Sequence, residues 1–149
     1  MTERGGSGQP AAPTGSPPWG LGVAAGLVVA AVDTLARLYL AQGISETARE
    51  VVGIANLFVS VGAFYFVALQ TLRRTGHARS SAEVAALTGA IVGVIDAGVA
   101  LLVPIADDPE RVQLVVGLVS QNIFMAGIVG LGVGVLAEPR RPRPPERRQ

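Results

Sequence analysis

Four long apolar runs separated by short polar links dominate the chain, at residues 19–41, 51–72, 84–105 and 112–136. At about 1.5 Å per residue each is long enough, as a helix, to cross a hydrocarbon core of about 30 Å. Lipid offers no water to backbone N–H and C=O groups, so a helix, which pairs them within the segment, is the expected form. The runs lack the apolar/polar alternation of transmembrane strands. The pattern predicts an all-α fold: a four-transmembrane-helix bundle of two helical hairpins over residues 19–137, with a tail at each end. The tails, 1–18 and 138–149, are rich in Gly, Pro and Ser and in Arg and Pro respectively. Neither has the apolar surface to order itself, and both are expected to be disordered. The first run exceeds the roughly 7–15 apolar residues of a secretory signal core, so a retained anchor is expected.

Polar residues at the ends of the runs mark helix boundaries. Ser45, Glu46 and Glu50 suit the start of the second helix, and Thr75-Gly76 its close. Pro109 behind Asp107 and Asp108 suits the start of the fourth, while Pro104 is expected to end the third.

Charge then orients the hairpins. Arg73, Arg74 and Arg79 lie in the link between the second and third runs, and Arg140, Arg141, Arg143, Arg147 and Arg148 in the final tail. The other two links are acidic or mixed: Glu46, Arg49 and Glu50 in one, Asp107, Asp108, Glu110 and Arg111 in the other. Four alternating helices put both arginine-rich regions on one side, so both termini are expected to be cytoplasmic. Short loops and this bias fit a bacterial inner membrane.

The two hairpins resemble each other weakly. Ala30-Ala31-Val32-Asp33 overlays Gly93-Val94-Ile95-Asp96, and Val51-Val52-Gly53 falls one residue out of register with Val115-Val116-Gly117. A duplication about an axis along the membrane normal would produce this, as would chance matching among small apolar residues.

Polar residues inside the runs carry the chemical information. A carboxylate near the bilayer centre costs roughly 2.5–3.5 kcal/mol on insertion scales, so it faces the bundle interior and finds a partner. Asp33 and Asp96 fall about 12–14 Å deep, with Ser60 and the Gln121-Asn122 pair near the same level and Asn56 shallower. Every helix thus supplies a polar group near one plane. Arg37 follows Asp33 by one helical turn, which makes an intrahelical ion pair available, and its long side chain is also placed to snorkel outward. Gln121 and Asn122 point about 100° apart, so only one of them is expected to face the seam squarely.

Small residues border these positions at steps of three and four: Gly22, Gly26 and Ala30 on the first helix, Gly53 and Ala63 on the second, Gly89, Gly93 and Ala100 on the third, Gly127, Gly130 and Gly134 on the fourth. The pairs Gly22/Gly26, Gly89/Gly93 and Gly130/Gly134 serve either a dimer face or packing within one chain. Among the aromatics, Phe58, Phe64, Tyr65, Phe66 and Phe124 suit lipid contact or packing, and Trp19 and Tyr39 suit the membrane interfaces.

Composition narrows the function classes. Of 149 residues, half are hydrophobic and only 15% charged, against about 25% in a soluble domain. Mean hydropathy is +0.47. With no cysteine and one histidine, His77, the sequence has no thiolate chemistry, disulfide or multi-histidine metal site. All 12 basic residues are arginine, as a GC-rich genome would give. The arginine tail is placed to contact anionic lipid, adding up to about 1 kcal/mol per residue, or to dock as an extended Pro-Arg-Pro-Pro peptide. It lacks the interleaved aromatics of a nucleic-acid binder.

An enzyme is not expected, nor a cofactor. The leading expectation is an accessory, assembly or self-associating membrane module, in a homo-oligomer or larger complex, held together by the polar layer. The alternative is a small proton- or cation-coupled transporter or channel using Asp33 and Asp96.

Overall fold

A computed structural model describes residues 15–40, 42, 45–102 and 111–137, with the side chains of 111–115 left aside. Within these residues the chain forms four helices, α1 (Trp19–Leu40), α2 (Glu46–Thr75), α3 (Ala78–Leu102) and α4 (Arg111–Ala137). All four contain a span long and apolar enough to cross a membrane. The expected structure of tails 1–14 and 138–149, the capping roles of Asp107, Asp108 and Pro109, and the helix end at Pro104 lie outside the described residues.

The ends of α2 follow from its capping residues. The Ser45 hydroxyl accepts the Ala48 N–H at 3.3 Å, satisfying one of the free donors of the first turn. At the other end Gly76 adopts φ 67°, a left-handed conformation, and donates its N–H to the Leu72 carbonyl at 2.7 Å. The connection to α3 is therefore only Gly76 and His77.

Hydropathy alone placed the end of the second helix at Leu72 and the start of the third at Val84. Both boundaries extend, because the backbone ladder continues into the polar zone after the apolar run has ended. Arg73 and Arg74 occupy the last turn of α2, and Arg79 the first turn of α3.

The helices pack as a rhomb. The described residues of α2 and α3 touch each other and both remaining helices, whereas α1 and α4 do not meet. A two-fold duplication would make the α2–α3 and α1–α4 relations alike, so the likeness of the hairpins has no counterpart in their packing.

Glycines explain how closely the helices approach. On α3, Gly93 faces the α4 backbone, where an added Cβ would lie 2.8 Å from the Val119 Cα. Gly89 meets the Asn122 carbonyl more closely still. Gly22 and Gly26 of α1 seat against Val84, Thr88 and Ile91, and Gly130 and Gly134 of α4 against Ala82 and Ala78. All three glycine pairs are thus spent on packing within the chain. Gly53 and Gly127 have no such neighbour within 4 Å.

Two apolar layers fill the interior. Ala68, Leu72, Ala85 and Val133 form the layer nearer the Gly76 turn, and Val29, Phe64, Val92 and Ala126 form the central one. The outer surface is apolar: Phe58, Phe124, Leu102 and Leu136 are all exposed. A soluble bundle does not present such continuous apolar surface. With four spanning helices, this is the architecture of a multi-pass membrane protein.

Candidate functional site: a polar cleft distal to the Gly76 turn

The two halves of the bundle treat polar groups differently. Near the Gly76 turn, Ser81 is fully buried and its hydroxyl reaches the Ala68 carbonyl on α2 at 2.8 Å and the Gly130 carbonyl on α4 at 3.3 Å. Thr88, also buried, reaches the Gly22 carbonyl on α1 at 3.1 Å and the Val84 carbonyl of its own helix at 2.9 Å. Thr71 and Thr75 bond back to the Val67 and Thr71 carbonyls. The Ser81 and Thr88 hydroxyls fasten three helix contacts, α3 with α2, α4 and α1. Sequence reasoning passed over Ser81 and Thr88; the signal was present in the run of small residues Ser81, Ala85, Gly89 and Gly93, one per turn of α3.

Beyond the central Phe64 layer the interior opens into a cleft of about 210 Å³. Its polar lining consists of Asp33 and Arg37 from α1, Asn56 and Ser60 from α2, Asp96 from α3, and Gln121 and Asn122 from α4. All seven residues of the polar layer read from the sequence converge there. Gly53 also lines it, and Phe64 forms part of its wall. Gln121 and Asn122 both line the cleft, and they differ in burial as their angular separation predicts. Gln121 is largely exposed, whereas Asn122 is half-buried and donates through Nδ2 to the Leu118 carbonyl at 3.0 Å.

Arg37 departs from expectation. Its close carboxylate is Asp96 of α3, with Nη2 to Oδ2 at 4.0 Å, rather than Asp33 one turn back on α1. Its side chain is only 24% exposed, so the guanidinium turns inward instead of snorkelling to the surface. The reason is geometric: the 33/37 face of α1 looks onto α3, and a long side chain leaving that face reaches the neighbouring helix.

The two aspartates are 5% and 3% exposed. Asp33 Oδ1, Asp96 Oδ1 and Asn56 Oδ1 are buried and have no hydrogen-bond donor among the described residues. Three residues that line one cleft thus each keep a buried acceptor oxygen with no hydrogen-bond partner among the described residues. Buried polar groups in folded proteins almost always have partners, and an orphaned acceptor costs about 1–3 kcal/mol. Such acceptors have the capacity to take hydrogen-bond donors.

The remaining candidate positions lie elsewhere. The glycine pairs belong to the packing seams, and Arg140, Arg141, Arg143, Arg147 and Arg148 lie outside the described residues. No group of three or more His, Asp or Glu residues with metal-ligand geometry occurs among the described residues.

No protein-family model matches the chain, and neither does a curated protein or a solved structure.

Proposed function

We propose that this protein is a small, non-enzymatic multi-pass membrane protein that binds a cation in the distal cleft and couples it to transport. The observation that carries this reading is that Asp33, Asn56 and Asp96 line one cleft and each keeps a buried oxygen with no hydrogen-bond partner among the described residues. A polar layer whose only task was to glue helices would satisfy itself, as Ser81 and Thr88 do in the other half. The reading reverses the order in which the sequence alone ranks an accessory role and a transport role. The glycine pairs are packed inside the chain, so any contact with a second copy uses other surfaces.

In the proposed arrangement Asp33 and Asp96 carry the cation, and Asn56 and Ser60 supply neutral oxygen. Arg37 balances one carboxylate, so that the cleft favours a single positive charge. The Phe64 layer closes the cleft toward the Gly76 turn, giving access from one side in this conformation. Both termini and the arginine-rich turn are cytoplasmic, and the membrane is a bacterial inner membrane, by the arginine bias. The terminal arginines contact anionic lipid. A second copy or a larger complex completes any path across the bilayer.

The test is flux in reconstituted vesicles under proton and sodium gradients. Uptake above empty vesicles that falls at least about tenfold in Asp33→Asn and in Asp96→Asn is expected. Uptake equal to that of empty vesicles for both ions would remove the transport reading.

A further inference from the structure

Three charged side chains line the cleft where α1 faces α3: Asp33 and Arg37 from α1, and Asp96 from α3. The Asp33 and Asp96 carboxyl groups lie within hydrogen-bonding reach of each other, and Arg37 Nη2 stands 4.0 Å from Asp96 Oδ2. From α2 and α4 the polar lining is neutral: Asn56, Ser60, Gln121 and Asn122. With both carboxyls ionised, two negative charges face one guanidinium and one is left uncompensated. The two carboxylates would also repel each other where burial leaves little water to screen them.

We propose that Asp33 and Asp96 hold one proton between them, so that the cation of the cleft is the proton. This rests on the cation reading above and names its cation. One added proton leaves one carboxylate against one guanidinium, and the set is neutral. It also supplies what the carboxyls lack: the O–H formed on one aspartate donates to the other, whose oxygen gains a partner. Carboxyl groups held this close share a proton because both cannot ionise at once. Size selects the proton over a metal ion or an ammonium group. Asp33 Oδ1 and Asp96 Oδ1 have almost no surface open to water, so a larger cation would have to displace side chains to reach them. It would also be repelled by the Arg37 guanidinium beside Asp96. A proton adds no volume. Loading forms one O–H bond at the expense of one in a hydronium ion, and unloading reverses it.

Infrared spectra of the full-length protein in phosphatidylcholine vesicles are recorded from mildly acid to alkaline buffer, in light and heavy water. The C=O stretch of a protonated carboxyl lies apart from the carboxylate bands and counts such groups. The wild type is expected to show one aspartate-dependent protonated carboxyl per chain in mildly acid buffer, lost in alkali. Asp33→Asn and Asp96→Asn are each expected to remove the band, because the carboxylate that remains is balanced by Arg37. Arg37→Gln is expected to double it, since two carboxyls without a guanidinium are neutral only with two protons. A role in packing alone does not move the band in these directions, and the amide bands of the same spectra report whether each variant keeps its helices. No protonated carboxyl in the wild type, or a band that survives in both Asn variants, overturns the shared proton. Sodium-driven flux that needs both aspartates, with no such band, overturns it while leaving the cation reading standing. A band with the expected variant pattern but flux under neither gradient upholds the shared proton and removes the transport reading.

Discussion

In the half of the bundle near Gly76, Ser81 donates to carbonyls of α2 and α4 and Thr88 to one of α1, while glycines bring the backbones together. In the distal half, Asp33, Asn56 and Asp96 line a cleft and each keeps a buried acceptor oxygen without a partner among the described residues. Both halves carry buried polar side chains on the same helices, in the same solvent. The difference is in what the groups demand. A hydroxyl bonds a carbonyl that is already paired within its helix, and so locks a contact at little cost. A carboxylate brings charge into lipid at roughly 2.5–3.5 kcal/mol, and the protein keeps two of them where hydroxyls would have held the helices. Buried polar groups bond across helices in one half and keep unpaired oxygens in the other.

Overpacking gives the widest separation of the halves. Gly89→Leu drives a side chain into the α4 backbone at Asn122 and is expected to cost about 3 kcal/mol or more, at the upper end for overpacked cores. Gly53→Leu sits at the cleft with no neighbour within 4 Å. It is expected to leave stability unchanged or raise it by up to about 1 kcal/mol, from helix propensity, while reducing flux. Unfolding in a mixed-micelle denaturant titration measures both. Equal destabilisation by the two would dissolve the contrast.

Within the distal half the aspartates are expected to differ. Asp33→Asn removes a carboxylate whose Oδ1 lacks a donor, so flux is lost with stability held or raised. Asp96→Asn also leaves Arg37 without its near carboxylate and is expected to be the less stable of the two by about 1–3 kcal/mol. The smallest effect belongs to the hydroxyl seam. Ser81→Ala loses two interhelical bonds, and Thr88→Val loses one. Each substitution is expected to cost about 1 kcal/mol, with flux retained. A flux loss in either would mean that the seam is part of the transport machinery.

The fold was legible because lipid imposes a coarse rule: long apolar runs must become helices, and costly polar residues must turn inward. Depth along each run therefore brings Asp33, Ser60, Asp96 and the Gln121-Asn122 pair near one level, with Asn56 shallower, before any packing is known. The cap residues Ser45 and Gly76 were equally readable, since each acts on its own helix end. The partner of Arg37 was not. Sequence spacing names neighbours on one helix, whereas the choice between Asp33 and Asp96 depends on which helix lies opposite. The asymmetry of the bundle was hidden for the same reason: whether α1 meets α4 depends on how glycine faces pair across helices. The acceptor deficit, on which the functional reading turns, appears only when every neighbour of each oxygen is in place.

The proposed division into a sealed half and an ion-receiving half is tested most directly by thiol accessibility. The chain has no cysteine, so Ser60→Cys at the cleft and Ser81→Cys in the seam are each the sole thiol. Modification requires the thiolate, which forms in water. Reconstituted protein is treated with a charged, membrane-impermeant methanethiosulfonate. The account predicts that Ser60→Cys reacts at least about tenfold faster than Ser81→Cys, and from the face opposite the Gly76 turn. Equal rates, or faster reaction at Ser81→Cys, would contradict it.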